Sequence, residues 1–374
     1  MVANPVRERG MKVLAIGGAM IDTIAIIADH RIERMTMLNA DSSFLLLEEG
    51  RKTEAIEIST HVGGGAVNAA VAMARLGLDV SALVKLGTDQ RAETVLGHLL
   101  QEGVSTRWAM RDNRAPSGAS VLVSSHDRNA AIFTFRGANT LLGVEDLREE
   151  AFGVDAVYVS SLSNEAADAF PAIVDRAKAK GALVATNPRV RQLSSRGPAF
   201  QEALAKIDIL AINRSEADVL VPQLVARFGE GGPKLTLAAG EVPPRLVTRG
   251  FASGGHEMTL PAFFGALRRL GPRFVIVTDG RNGAFLGTQD AILYCPVLET
   301  KVVGTAGAGD AFNATFTACI ALGQEPQEAL RAATVNAASV VGHIDTQSGL
   351  LSRDKIAGRL EATREALPVR SWPH

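Results

Sequence analysis

The chain has 374 residues and only two cysteines, Cys295 and Cys319. That count supplies neither a disulfide framework nor a cysteine-based metal centre, and it fits a reducing, cytoplasmic setting. There is no block of basic residues, and the net charge is −1. Nothing therefore favours nucleic acid or an anionic membrane surface as partner. Every apolar run is interrupted by charged or polar residues before it could span a bilayer. Residues 1–10 lack the apolar core of a signal peptide and read as a frayed leader. His61, His98, His126, His256 and His343 show no metal-ligand spacing. There is no internal repeat and no low-complexity tract.

What is present is ordinary for a globular enzyme: 47% hydrophobic and 21% charged residues, in a length that suits one large α/β domain with an appendage. Lys12-Val13-Leu14-Ala15-Ile16 is a buried-strand pattern that ends in Gly17-Gly18, with Asp22 shortly after. A carboxylate just beyond such a strand is either a turn residue or a ligand contact, because α/β proteins bind ligands at that edge. His61 to Gly77 follows as three glycines and then an alanine-rich helix with Asn68 in its first turn. Strand and helix patterns alternate in the second half: strands at 154–159, 182–186, 207–212 and 273–280, and a helix at 171–179. That alternation predicts a parallel sheet covered on both faces. Asn213-Arg214-Ser215-Glu216 has the spacing of a helix capping box. Asn282-Gly283 reads as a hairpin turn. Glycines and prolines crowd residues 222–270, which read as an insertion or surface elaboration with a helix near 261–270.

The most informative stretch is Val303-Gly304-Thr305-Ala306-Gly307-Ala308-Gly309-Asp310-Ala311-Phe312-Asn313. Small residues lead into the N-terminus of an apolar helix. The first-turn N–H groups of a helix are unpaired and lie at the positive end of its dipole, and glycine lets a phosphate come close to them. An Asp in that turn is either a dipole-favoured helix start or a base placed to deprotonate a hydroxyl that attacks the phosphate. It is not a P-loop, since no Gly-Lys-Ser/Thr follows, and the glycine spacing is wrong for a dinucleotide fingerprint.

Gly304 to Asp310 resembles the C-terminal signature of the ribokinase-like (PfkB-type) carbohydrate kinases, Asp-Thr-x-Gly-Ala-Gly-Asp. Gly63, Gly64, Asn68 and Ala70 match the same family's N-terminal signature, Gly-Gly-x-x-x-Asn-x-Ala, and lie at the correct end of the chain. The resemblance runs from Lys12 to about Val341. It implies an α/β three-layer sandwich over 11–374, with a mainly parallel central sheet and a small β lid from about 23–60 and 115–136. It implies transfer of phosphate from ATP to a hydroxyl of a small sugar. Asp310 would be the base, and Gly307, Ala308 and Gly309 would form the anion hole. Asp22, Gly63, Gly64 and Asn68 would hold the acceptor. The nucleotide would lie against Asn213, Thr278, Gly280, Thr305 and Asn336, and Glu216 would order Mg²⁺ through water. A homodimer through the lid is also implied.

Two departures stand out. Gly304 replaces the Asp that organises a monovalent cation in the family, which puts potassium activation in doubt. Gly65 stands where ribokinase often has Lys, so ribose is not assumed. The alternatives are a nucleoside kinase, with Phe44, Phe133 and Phe135 as stacking partners for a base, and a non-catalytic sugar- or nucleotide-binding protein on the same fold.

Overall fold

In Lys12–Ile16, alternate side chains enter different cores. Val13 and Ala15 join one apolar cluster, and Leu14 and Ile16 join another. Ala156 and Tyr158 divide from Val157 and Val159 in the same way. Continuous apolar strands of this kind are stable only where helices cover both faces of a sheet. The computed structural model describes residues 10–28, 33–36, 43–46, 50, 52–124 and 130–373.

The strands of the two main sheets are, in chain order, β1 (Lys12–Ile16), β2 (Met20–Ile27), β3 (Ala55–Gly63), β4 (Asp79–Leu83), β5 (Gly118–Ser124), β6 (Ala130–Phe135), β7 (Ala156–Ser160), β8 (Leu183–Asn187), β9 (Ile209–Asn213), β10 (Phe274–Thr278), β11 (Ala284–Gly287), β12 (Ala291–Cys295) and β13 (Arg370–Pro373). The central sheet runs β13-β12-β11-β10-β9-β8-β7-β1-β4. Its six strands from β4 to β10 are parallel, and β11 to β13 form an antiparallel edge. The helices that matter for the site are α1 (Gly65–Arg75), α2 (Arg214–Phe228), α3 (Leu260–Arg269), α4 (Ala308–Ala321) and α5 (Pro326–Val340). α1, α4 and α5 cover one face, and α2 and α3 the other.

A second sheet, β6-β5-β2-β3, stands apart from the central one. The chain enters it from β1 through Gly17, Gly18 and Ala19. Asn139 clamps that crossing: its Oδ1 accepts from Ala19 N at 2.8 Å, and its Nδ2 donates to Ala19 O at 2.9 Å. The lid boundary expected at residue 23 therefore moves to Met20, and Asp22 lies within a lid strand rather than in a turn. The crossing is completed in three small residues, so pairing with β3 and β5 begins immediately.

Two further expectations change. The stretch 222–270 divides: residues 229–245 are a largely exposed surface segment and the helix expected near 261–270 is present, but residues 246–270 pack into the core. α2 runs on through Pro222 to Phe228, because an interior proline removes one helical hydrogen bond while the apolar face stays buried. Phe251, Met258, Leu260, Phe263, Phe264 and Leu267 are all buried in the core. Asn282-Gly283 does lie in the hairpin joining β10 and β11, but the connection is longer than a two-residue turn: it runs from Asp279 to Gly283, closed by Asp279 N donating to Gly283 O at 2.9 Å. Asp310 lies in the first turn of its helix, as expected; the helix starts at Ala308, where Gly307 caps it in the left-handed conformation (φ 79°).

Candidate active site

One cluster of candidate residues is built where the second sheet meets the central one. Asp22 on β2 pairs in register with Ser120 on β5 and His61 on β3. All three side chains therefore share one lid face. Ser120 Oγ donates a short hydrogen bond to Asp22 Oδ1. Burial raises the Asp22 pKa above the usual carboxylate value; the Ser120 hydrogen bond opposes this and the charge of Asp310 adds to it. Gly63 ends β3 against that carboxylate: a Cβ there would lie 2.0 Å from Asp22 Oδ2. Gly64 is at φ 100°, and its Cβ would lie 2.5 Å from Gly18 O. The three-glycine run is thus required by close approach at two successive positions.

The first turns of α1 and α4 face each other. Asn68 Nδ2 donates to Asp310 Oδ2 at 2.8 Å, and both residues are buried. The N–H groups of Ala308, Gly309 and Asp310 are the first three of α4 and have no partner within the helix. The space over Gly309 is open, with no atom within 4 Å of a Cβ added there. Asn68 is held in turn: Thr346 Oγ1 and Gln347 Nε2 each donate to its Oδ1 at 2.9 Å. Gln347 Nε2 also donates to Val62 O of the lid at 2.9 Å, and Gln347 Oε1 lies 2.6 Å from His98 Nε2. Thr346 and Gln347 carry no motif of their own; the contact is made across 278 residues of sequence.

Arg189 is a second residue that sequence reasoning missed. It follows β8 and places a terminal nitrogen 3.5 Å from Asp310 Oδ1. The negative charge of Asp310 is the main cause of a raised Arg189 pKa. A lone arginine after a strand carries no signal until that strand is placed at the centre of the sheet.

On the far side, Asn213 and Thr278 are register partners at the ends of β9 and β10. Asn213 and Glu216 form the expected capping box: Asn213 Oδ1 accepts from Glu216 N at 2.9 Å, and Glu216 Oε2 accepts from Asn213 N at 2.8 Å. Glu216 is buried, which raises its pKa. Gly280 (φ 53°) borders open space, and Thr305 is exposed. Gly304 is crowded, with His343 O 2.9 Å from where its Cβ would be. Asn336 is placed away from these residues. It is 0% exposed, donates to Thr315 Oγ1 at 2.8 Å and accepts from Leu351 N at 2.9 Å. It ties α5 to α4 and presents no surface to a nucleotide. Phe133 and Phe135 pair with Val121 and Ala119, so they point away from the face that carries Asp22 and Ser120. Their rings are exposed and cannot stack on a base in the site. The side chain of Phe44 lies outside the described residues.

Residues 32–353 match the pfkB family carbohydrate kinases. The chain belongs to that family. It is a carbohydrate kinase, and use of ATP follows from its family membership. Among curated relatives, a deoxyribokinase from Salmonella typhi is 26% identical over 331 residues, covering 87% of this chain and 94% of its own length. Among solved structures, a ribokinase from Thermotoga maritima has a TM-score of 0.69 at 20% identity, covering 94% of this chain and 100% of that one. An Arabidopsis thaliana ribokinase, solved with ribose and ATP, has a TM-score of 0.67 at 21% identity over 94% of this chain and 99% of its own. The ribokinase-like fold expected from the two glycine-rich signatures is the fold found. No helix among the described residues is long and apolar enough to cross a membrane.

Proposed function

We propose that this carbohydrate kinase transfers the γ-phosphoryl group of ATP to a hydroxyl held by Asp22 and Asn68, with Asp310 as general base. The observation that carries the proposal is the buried Asp310 carboxylate, gripped by Asn68 at 2.8 Å in the first turn of α4, beside the open space over Gly309. The acceptor oxygen bonds to the γ-phosphorus as the bond to the bridging oxygen of ADP breaks. The acceptor proton passes to Asp310. The N–H groups of Ala308, Gly309 and Asp310 meet the charge on the transferred oxygens, and Gly307 fixes their direction by capping the helix. Arg189 supplies a cation at the same point. Asn213, Thr278, Gly280 and Thr305 line the donor side; Asn336 takes no part.

Mg²⁺ would neutralise the phosphates when bound. The donor set fits contact through water: Glu216 is a buried carboxylate with one oxygen already accepting from Asn213 N. Among the described residues, no group of carboxylates forms a direct cage for a metal. Gly304 offers no carboxylate to a monovalent cation, and a side chain at that position would collide with the His343 carbonyl.

The outer lid face carries Ile58, Val121, Phe133 and Phe135, which are 68%, 43%, 59% and 51% exposed. Their register puts them on one side. An apolar face of this kind suits a second copy of the chain. Sedimentation should give a dimer for the native chain and a monomer for Ile58→Ser/Phe133→Ser; a native monomer would remove this contact.

The test of the chemistry is the Asp310→Asn variant. Turnover is expected to fall by about a hundredfold or more with ATP affinity retained. Near-native turnover would end the assignment of the base.

A further inference from the structure

Three arginines, Arg136, Arg189 and Arg191, lie within electrostatic reach of one another, and one of them meets Asp310. Arg189 reaches Asp310 Oδ1 at 3.5 Å. Arg136, at the end of lid strand β6, is partly buried, and its Nη1 donates to Ser163 Oγ at 2.7 Å. Arg191 Nη1 donates to Asn164 Oδ1 at 3.4 Å. Ser163 and Asn164 are consecutive, so the guanidinium groups of Arg136 and Arg191 rest on neighbouring residues of one loop. Among the described residues, no carboxylate forms an ion pair with either of them. Burial lowers the Arg136 pKa, and the like charges of Arg191 and Arg189 lower it further. Such a gathering is unfavourable in the free protein and is offset when an anion enters it.

The supporting loop is itself unusual. Asn164 is the only non-glycine residue with a positive φ (53°) among the described residues. Backbone of this kind clusters at ligand sites, where the surroundings hold it in place. The cluster also lies on the acceptor side. Arg136 leaves the lid sheet that carries Asp22, and Asn139 ties Arg136 O and Ala19 O together, at 2.9 Å each. The Ser163–Asn164 loop follows β7, next to β1, whereas Asn213 and Thr278 stand on β9 and β10, beyond β8.

We propose that Arg136 and Arg191 bind an anionic group of the acceptor, so that the substrate is a sugar phosphate or a sugar acid rather than a neutral sugar. A guanidinium fork matches a phosphate or carboxylate with two parallel hydrogen bonds, and a hydroxyl cannot satisfy the same charge. This rests on the assignment of Asp22, Asn68 and Asp310 to the acceptor side.

The experiment measures ADP release from Mg-ATP with four acceptors. Ribose and 2-deoxyribose are the neutral arm, and ribose 1-phosphate and gluconate are the anionic arm. The native chain, Arg136→Gln, Arg191→Gln and Arg136→Lys are compared, with thermal unfolding run on each. The native chain should prefer an anionic acceptor, and whichever of the two it prefers names phosphate or carboxylate. Each Gln variant should lose roughly tenfold to a hundredfold in kcat/KM for that acceptor, mostly through KM, and Arg136→Lys should lose less. A native preference for ribose or 2-deoxyribose overturns the proposal, as does an unchanged anionic-to-neutral ratio in the Gln variants. Calorimetric titration with ribose 1-phosphate and with gluconate covers a silent activity panel. Anion binding that is weakened in the Gln variants keeps the proposal and sinks the acceptor chemistry instead. Equal binding by native and variant chains, or none, sinks the proposal.

Discussion

Gly63 and Asp22 provide a test of the acceptor site that does not touch the base. A methyl group at Gly63 would lie 2.0 Å from Asp22 Oδ2 and 3.0 Å from Asp22 Cγ. Gly63 is not among the positive-φ glycines, so alanine fits its backbone and the carboxylate is what must move. Moving it breaks the hydrogen bond from Ser120. Losing a hydrogen bond to a charged group costs about 1.5–3 kcal/mol, and an off-rotamer side chain about 0.5–1.5 kcal/mol. Taking the lower ends together, about 2 kcal/mol is lost at Asp22, or roughly thirtyfold in kcat/KM for the acceptor. The same cost falls on the folded chain, but in 374 residues it should lower the melting temperature by only about 2–3 °C. Gly64→Ala is the contrast. Its Cβ meets Gly18 O at 2.5 Å and Ala19 Cα at 2.8 Å, at φ 100°. Both obstacles are backbone, and the fold should lose about 3 kcal/mol or more. Steady-state kinetics with the best acceptor and with ATP, alongside thermal unfolding, read both effects. A Gly63→Ala enzyme with native kcat/KM and native stability would refute the placement of Asp22 at the acceptor.

Asp22→Asn should abolish acceptor binding yet raise stability near neutral pH. A raised carboxylate pKa means that the favourable neutral form is fully present below the unfolded value of 3.8 and is lost as pH rises through the folded value. The variant's gain in melting temperature should therefore appear around pH 7 and vanish near pH 4; a gain independent of pH would contradict this. Glu216→Gln keeps an acceptor for Asn213 N but removes the charge, so the Mg²⁺ concentration for half-maximal activity should rise about tenfold, about 1.4 kcal/mol. An unchanged magnesium titration would remove Glu216 from the metal. Asn336→Ala should destabilise by about 1–3 kcal/mol, because it leaves buried partners unsatisfied. Its KM for ATP should stay near native, and a large rise would return Asn336 to the nucleotide site.

Much of the fold was legible because its signals are local. Gly77 ends α1 with a left-handed turn, at the point where the alanine-rich helix pattern stops. The parallel strands are continuous apolar runs because both faces are covered, and the Asn213–Glu216 box caps α2 from four adjacent residues. Errors arose where a distant partner decides. Pro222 looked like a boundary, but the apolar face of α2 packs on the core and outweighs one missing hydrogen bond. Strand β13 was invisible because it consists of four residues that pair only with β12.

The candidate site divides in the same way. The sequence by itself determined the two glycine-rich signatures and, through them, the family, because close backbone approach restricts residue type strongly at short range. Tertiary structure alone decided which polar groups meet. It joined Asn68 to Asp310 across 242 residues and placed Gln347 between Asn68 and the lid. It turned Phe133 and Phe135 away from Asp22 and Ser120, buried Asn336, and brought Arg136, Arg189 and Arg191 within electrostatic reach of one another. Hydrogen bonds and charge pairs act over a few ångströms, and only the packed chain sets distances between residues that the sequence leaves far apart.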